Sequence, residues 1–265
     1  MTQPILIHDK EELEKYLLRY PQLNFYHLGD LDDFFWPYTS WFALKEDDQI
    51  NALILMYSGI RPVTVLAIEN DNHGGMLKLL ENSLPLLPGV FYAHLSAGLE
   101  QVLSAYGYQI KLHGEHYKMA LSHPEKLELI DTTDVEQLSS NDLDEMLSLY
   151  KHSYPGNWFD PRMLETGQYT GLRDKNGQLV SVAGIHVYSP EYKIAALGNI
   201  TTNPKYRGQG LAKKVTAGLC KLLLTTSDSI GLNVRSDNSP AIQAYHKIGF
   251  EVVGKYNEWM VNPPS

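Results

Sequence analysis

Apolar positions along the chain switch repeatedly between a period of two and a period near 3.6, so strands and helices alternate. In the first half, residues 5–7 form a short apolar run. Residues 9–20 read as a helix with Leu13, Leu17 and Leu18 on one face, Asp9 as N-cap and Glu12 three residues on. Residues 41–44 and 50–57 predict a strand pair around the turn Glu46-Asp47-Asp48. Residues 63–68 are β-branched and apolar and predict a buried strand. A helix over 76–84 ends at Pro85. Strands are expected at 90–94, 108–112 and 116–121, with a short helix at 98–105. Pro124 and the loss of periodicity mark a boundary near 122–130.

The second half repeats a similar order. An amphipathic helix covers 141–150 through Leu143, Met146, Leu147 and Tyr150, and an irregular aromatic stretch follows at 155–161. Strands at 169–173 and 179–188 flank the turn Asp174-Lys175-Asn176-Gly177, and 194–202 is another strand. Residues 210–225 carry a helical stripe of Leu211, Val215, Leu219, Leu222 and Leu223. A strand at 229–234 precedes a helix at 239–248, with Pro240 in its first turn and Gly249 at its end. Residues 250–253 and 255–261 predict two last strands, the second at a sheet edge. The halves echo each other: Ala105-Tyr106-Gly107-Tyr108-Gln109-Ile110 parallels Lys247-Ile248-Gly249-Phe250-Glu251-Val252, which suggests internal duplication.

A length of 265 residues supports two domains, expected at 1–123 and 127–265. A hydrophobic fraction of 43% and a charged fraction of 20% fit packed cores and argue against a disordered chain. The formal charge of −9 and the lack of any Lys/Arg run argue against nucleic acid as a partner. Cys220 is the single cysteine, so no internal disulfide and no zinc cluster are expected. The longest apolar stretches, such as 52–56, are too short for a membrane span, and the start turns acidic by residue 9, unlike a signal peptide. A soluble cytoplasmic protein is the expectation.

The clearest chemistry lies at Asn199-Ile200-Thr201-Thr202-Asn203-Pro204-Lys205-Tyr206-Arg207-Gly208-Gln209-Gly210-Leu211-Ala212. A strand ends, two glycines follow, and a long helix begins. Such a loop lets backbone N–H groups converge on an anion at the positive end of the helix dipole. Glycine keeps side chains out of the way. No Gly-Lys-Ser/Thr follows, which disfavours a P-loop, and Lys213 breaks a Gly-x-Gly-x-x-Gly pattern, which disfavours a Rossmann site.

Arg207-Gly208-Gln209-Gly210-Leu211-Ala212 resembles the Arg/Gln-x-x-Gly-x-Gly/Ala motif of the GNAT superfamily of N-acetyltransferases. Asn238-Ser239-Pro240-Ala241 through Tyr245 to Gly249-Phe250 resembles that family's Asn-x-x-Ala-x-x-x-Tyr-x-x-x-Gly-Phe segment. The resemblance covers about 127–261. It implies an α/β fold (an α+β mixed sheet): two tandem GNAT-like domains, each a mixed, mostly antiparallel sheet flanked by helices. It implies acetyl-CoA as cosubstrate, no metal, and transfer to a primary amine by direct attack through a tetrahedral intermediate.

The implied roles fall on particular residues. The backbone of Ile200, Thr201 and Thr202 would bind the pantetheine arm. Arg207, Gly208, Gln209, Gly210, Leu211 and Ala212 would hold the pyrophosphate. Asn233 and Asn238 would contact the coenzyme, and Tyr245 would act as general acid on the leaving thiolate. A backbone N–H at the end of the 194–202 strand would stabilise the oxyanion. The Glu that some relatives carry early on that strand is Ile194 here, so Glu191, His186 and Glu258 stand as base candidates beside water-relayed deprotonation.

The first half resembles the N-terminal half of tandem GNAT proteins, including the glycine N-acyltransferase-like group, through Asn24-Phe25-Tyr26-His27-Leu28-Gly29-Asp30-Leu31. Its equivalent of the coenzyme loop, Glu69-Asn70-Asp71-Asn72-His73-Gly74-Gly75-Met76, is acidic, and Leu103 stands where Tyr245 would be. This half is expected to be degenerate and to serve structure or to wall the amine pocket.

Plainer readings stand beside these. Tyr245 could be a core tyrosine and Asn238 a helix cap. Trp158 and Phe159 could line an acceptor pocket or pack locally. Lys213 and Lys214 would be solvated, and His113/His116 is a weak metal pair. The expected partner is a small amine or amino-acid-like acceptor, with a homodimer allowed. The competing functions are a catalytically silent acyl-CoA-binding regulatory module and a tandem transferase of cell-wall or thiol biosynthesis.

Overall fold

The computed structural model describes residues 4–69, 71–157 and 159–264. The chain divides into two compact units. The first takes residues up to 118, 235–237 and those from 254 on; the second takes 119–234 and 238–253.

The first unit opens with β1 (Ile5–Ile7) and α1 (Lys10–Leu17). The Asp9 carboxylate accepts from the Glu12 N–H at 3.1 Å and caps α1, as the sequence predicts. Helix α2 (Phe25–Gly29), not predicted by periodicity, precedes the hairpin of β2 (Thr39–Glu46) and β3 (Gln49–Tyr57). Asp47 and Asp48 turn that hairpin at φ 48° and 62°, the left-handed region that Asp tolerates. Then come β4 (Val63–Ala67), α3 (His73–Ser83), β5 (Phe91–Leu95), α4 (Glu100–Ala105) and β6 (Gln109–Leu121). The sheet runs β1-β2-β3-β4-β5, with β4 and β5 parallel and the other neighbours antiparallel. Ile54, Val65, Leu79, Phe91, Leu95 and Leu103 are fully buried in its core. Each such side chain contributes about 1.5–3 kcal/mol by leaving water.

The second unit contains β7 (Glu136–Gln137), α5 (Leu143–Ser153), β8 (Thr170–Arg173), β9 (Leu179–Ser189) and β10 (Ile194–Thr202). They are followed by α6 (Leu211–Leu223), β11 (Ser229–Arg235), α7 (Ser239–Ile248) and β12 (Phe250–Asn262). Its strands run β11-β10-β9-β8-β7; β10 and β11 are parallel and the remaining pairs antiparallel. Val215, Leu219 and Leu223 of α6 are fully buried.

Two predicted breaks do not occur. Residues 109–121 are one strand, because Gly114 at φ 148° carries the backbone through in a conformation other residues avoid. Residues 250–262 are likewise one strand through Gly254, where a Cβ would meet the Leu23 side chain at 2.5 Å. The last part of β12 is not an edge of the second half. It pairs antiparallel with β5, from Asn257↔Leu95 to Val261↔Phe91. The echo between the halves appears as two helices, α4 and α7, each followed by a glycine of positive φ, 79° at Gly107 and 108° at Gly249.

Candidate active site

Strand β10 pairs with β11 only from Ile194↔Ser229 to Leu197↔Leu232. Beyond Leu197 its register with β9 shifts between Gly198 and Thr201. Asn199 sits in this bulge at φ 55° and is only 3% exposed. A bulge bends and twists a strand, so β10 leaves β11 here and opens a cleft.

Side chains hold the bulge in place. The Tyr150 hydroxyl donates to the Asn199 carbonyl at 3.0 Å. The Asn199 amide donates to the Tyr169 hydroxyl at 3.3 Å, and that hydroxyl donates to the Ile185 carbonyl at 3.0 Å. Burial pushes the phenols of Tyr150 and Tyr169 well above their ordinary range, so both remain donors. Phe159 packs between them, 5.0 Å from the Tyr150 ring and 5.7 Å from Tyr169. Its role here is local packing. Trp158 lies outside the described residues.

The open edge of β10 presents particular backbone groups. The Thr201 carbonyl accepts from Ser181 Oγ of β9 at 3.2 Å, so the polar backbone of Thr201 faces β9. Strand alternation turns that of Ile200 and Thr202 the other way. The Thr202 carbonyl accepts from Arg207 Nε at 3.2 Å, and the same guanidinium donates to the Ser153 carbonyl at 3.2 Å. Arg207 therefore clasps the following loop to β10 and to the end of α5. Tyr206 adds a second clasp by donating to Asp174 at 2.7 Å.

Beyond Arg207, Gly208 and Gly210 adopt φ 79° and 78°, and a Cβ on either would meet no heavy atom within 4 Å. Gly210 is the N-cap of α6 and supplies no side-chain cap. The first N–H groups of an α-helix lack intrahelical partners and carry partial positive charge. The space beside Gly208 and Gly210 is open. Lys214 turns away to Asp134 at 2.6 Å. On β11, one residue past the last pair with β10, the Asn233 Oδ1 is buried and accepts no hydrogen bond from the described residues. A buried orphan acceptor is costly and fits a ligand that carries N–H groups. Two left-handed glycines, an uncapped helix start, a splayed strand and an orphaned amide together fit a diphosphate on an amide-rich arm.

The remaining candidates separate cleanly. His186 is brought to the cleft. The register shift between Ala196↔Val187 and Leu197↔Ile185 leaves His186 as the extra residue of β9. Its ring covers Gly198, where any Cβ would collide with it. Tyr245 lies on α7, its ring 6.0 Å from Phe250; burial, then the neighbouring Tyr154 and Cys220, push its phenol above the ordinary range. It stays protonated and able to donate. Asn238 is the N-cap of α7, accepting from the Ala241 N–H at 3.3 Å, so its Oδ1 serves the helix first. Glu191 is exposed in the turn before β10, at the end of that strand opposite the cleft. Nine residues of strand separate the two ends, roughly 30 Å at 3.3 Å per residue. Glu258 belongs to the first unit, where the Tyr92 and Tyr256 hydroxyls donate to its carboxylate. Sequence reasoning missed Asn199 and Tyr150; a non-glycine residue of positive φ leaves no periodic signal.

Among its described residues, the first unit is built differently at the corresponding place. β4 and β5 stay parallel along their whole length, Val63↔Phe91 to Ala67↔Leu95, and the Ser96 N–H continues the ladder to the Ala67 carbonyl at 3.0 Å. Asn72 caps α3 by accepting from the Gly75 N–H at 2.9 Å, and Glu69 contacts His73 at 2.5 Å in its first turn. The helix start is self-satisfied and flanked by an acid. Leu103 is a fully buried core residue.

A mixed sheet opened by a bulge, beside a helix whose N-terminus is built from glycine, defines the GNAT class of α/β fold. Residues 136–250 match the family described as Acetyltransferase (GNAT) family. A mycothiol acetyltransferase of Tsukamurella paurometabola is 30% identical over 97 residues, covering 36% of this chain and 33% of that protein. The aligned part thus spans about a third of this curated relative. Among solved structures, a Drosophila protein superposes with a TM-score of 0.73 at 13% identity over 100% of both chains. A tandem GNAT protein from the clavulanic acid biosynthesis pathway gives 0.55 at 14% identity, over 99% of this chain and 98% of that one. At these identities the structures speak to fold. No helix among the described residues is long and apolar enough to cross a membrane.

Proposed function

We propose that the second unit is an acyl-CoA-dependent N-acyltransferase that moves acetyl from acetyl-CoA to a primary amine. The observation that carries this reading is the open, glycine-built N-terminus of α6 beside the bulged end of β10. Acetyl-CoA supplies the activated acyl group. The N–H groups from Gly208 to Ala212 hold its diphosphate. Ile200 and Thr202 add the pantetheine arm to the free strand edge, as a further strand would be added. Asn233 accepts an N–H from that arm. His186, over Gly198, takes the proton of the attacking amine, and Tyr245 donates one to the departing sulfur.

Two results follow. Tyr245→Phe should lower kcat by about 100-fold, within the usual worth of a general acid, and leave KM for acetyl-CoA nearly unchanged in steady-state assays. His186→Ala should lower kcat/KM for the amine and remove the acid limb of its pH–rate profile; an unaltered profile would return deprotonation to water.

The deciding experiment is an amine panel with acetyl-CoA, followed by release of free thiol. The likeness to a mycothiol acetyltransferase places amine intermediates of thiol biosynthesis early in that panel. Thiol release that depends on an amine supports the transferase. Tight coenzyme binding without turnover on any amine would favour the silent binding module. The first unit, with its self-capped α3 and unsplayed β4 and β5, serves as a degenerate companion.

A further inference from the structure

The bulge in β10 is held by its surroundings rather than by its own preference. Asn199 adopts φ 55°, a conformation that is unfavourable for a residue other than glycine. Such outliers persist only where neighbours enforce them, and they cluster at functional sites. The Asn199 side chain is tied through Nδ2, which donates to the Tyr169 hydroxyl at 3.3 Å, while its Oδ1 is buried and accepts nothing from the described residues. The backbone is tied separately. The hydroxyl of Tyr150, on α5, donates to the Asn199 carbonyl at 3.0 Å. Tyr150 and Asn199 are each 3% exposed, so bulk water does not compete for this bond.

The Asn199 carbonyl shares one planar peptide unit with the N–H of Ile200. In a trans peptide these two groups point in opposite directions. A hydrogen bond that draws the carbonyl toward α5 therefore aims the Ile200 N–H away from α5. Ile200 lies beyond Leu197↔Leu232, the last pair joining β10 to β11, and its polar backbone faces the edge turned away from β9. The Tyr150 hydroxyl thus fixes the direction of an N–H at the open edge of the cleft. Phe159, 5.0 Å from the Tyr150 ring, packs that ring in place. Burial pushes the phenol well above its ordinary range, so it keeps its proton and remains a donor.

We propose that Tyr150 is a positioning residue for acyl transfer: by holding the Asn199 carbonyl, it aims the Ile200 N–H at the thioester oxygen. This role rests on the acyl-transfer reading of the second unit. The amine lone pair forms the C–N bond and the carbonyl pair moves onto oxygen, where the Ile200 N–H stabilises it. Return of that pair breaks the C–S bond. Tyr150 neither gives nor takes a proton in these steps, and the Ile200 carbonyl remains for an N–H of the pantetheine arm.

The test is NMR of acetyl-CoA labelled with carbon-13 at the thioester carbonyl, bound to the full chain without any amine. The resonance should move downfield on binding to the wild-type chain. Tyr150→Phe should lose most of that displacement, while calorimetry finds acetyl-CoA affinity little changed. In turnover the same variant should lower kcat by about 10- to 100-fold, below the full worth of an oxyanion donor. The shape of its pH–rate profile should stay as in the wild type, since Tyr150 does not titrate. Thr170→Val is the matched loss of a buried bond: Thr170 Oγ1 donates to the Val215 carbonyl at 2.9 Å in the same unit. It should cost stability and leave the resonance in place. Phe159→Leu loosens the Tyr150 ring without touching its hydroxyl. It should give a smaller loss in the same direction, and it supplies the readout if Tyr150→Phe does not fold. A wild-type carbonyl that stays at its free position, a resonance unmoved by Tyr150→Phe or Phe159→Leu, or one moved as far by Thr170→Val would overturn the positioning role. No uptake of acetyl-CoA by the wild-type chain would overturn the acyl-transfer reading itself, and this role with it.

Discussion

Gly210→Val is expected to weaken acyl-CoA binding by about 10- to 100-fold in a chain that remains folded. Gly210 holds φ 78° at the head of α6 with open space before its Cα. A β-branched residue there costs about 1–2 kcal/mol in backbone strain. It also projects a side chain into the open space before the helix N–H groups, where the proposed diphosphate would sit. Losing even one charge-assisted hydrogen bond costs about 1.5–3 kcal/mol. The strain lowers stability in free and bound states alike, so the lost bond sets the change in affinity, about 10- to 100-fold in Kd. Gly107→Val is the matched control: φ is 79°, the space before it is bounded only by Pro264 at 3.6 Å, and it lies in the first unit. It should lose similar stability and keep its affinity. Equal affinity in the two variants, measured by calorimetry with coenzyme A, would remove the α6 terminus from the site.

The second large effect is a loss of stability in mild acid. His27 is 2% exposed and its imidazole is lowered to about 3, first by burial and then by Lys118 and His94; burial lowers His94 to about 4. Both histidines titrate near 6.5 once unfolded. A base whose folded value is depressed lends stability above its unfolded value, and that stability drains as pH falls from 6.5 toward the folded value. Each histidine costs about 1.4 kcal/mol per pH unit in that window. Asp30, raised by burial, works in the opposite sense and offsets part of this loss. Lys118, lowered by burial to about 7, is protonated in both states below that and adds no slope there. The two histidines outnumber Asp30, so the net expectation is a loss of stability between pH 6.5 and pH 4.5. Urea titrations followed by tryptophan fluorescence check it, because Trp36, Trp41 and Trp259 all belong to the first unit. His94→Gln should reduce the slope by about one proton. A midpoint that is flat across this range would contradict the burial of these neutral rings.

Much of this fold is legible where the signal is local. The Asp9 cap, the Asp47-Asp48 turn, the Gly208/Gly210 loop and the Pro240–Gly249 helix each depend on a few neighbouring residues, and each is found where the sequence places it. What escaped depends on partners distant in the chain. The Tyr92–Glu258 hydrogen bond spans 166 residues, and nothing local indicates that the end of β12 pairs with β5. Gly114 and Gly254 look like breaks and act as passages. His186 and Asn199 gain their positions from slips of strand register, which no periodicity records. Glu191 illustrates the converse: near in sequence to β10, it is held at the end far from the bulge by the length of that strand.

The central claim is that the start of α6 grips a diphosphate. The most direct measurement compares coenzyme A with pantetheine, its arm without the diphosphate, by calorimetric titration of the wild-type chain. Coenzyme A should bind at least about 100-fold more tightly, a difference of about 3 kcal/mol. Equal affinities, or no heat with coenzyme A, would contradict the claim.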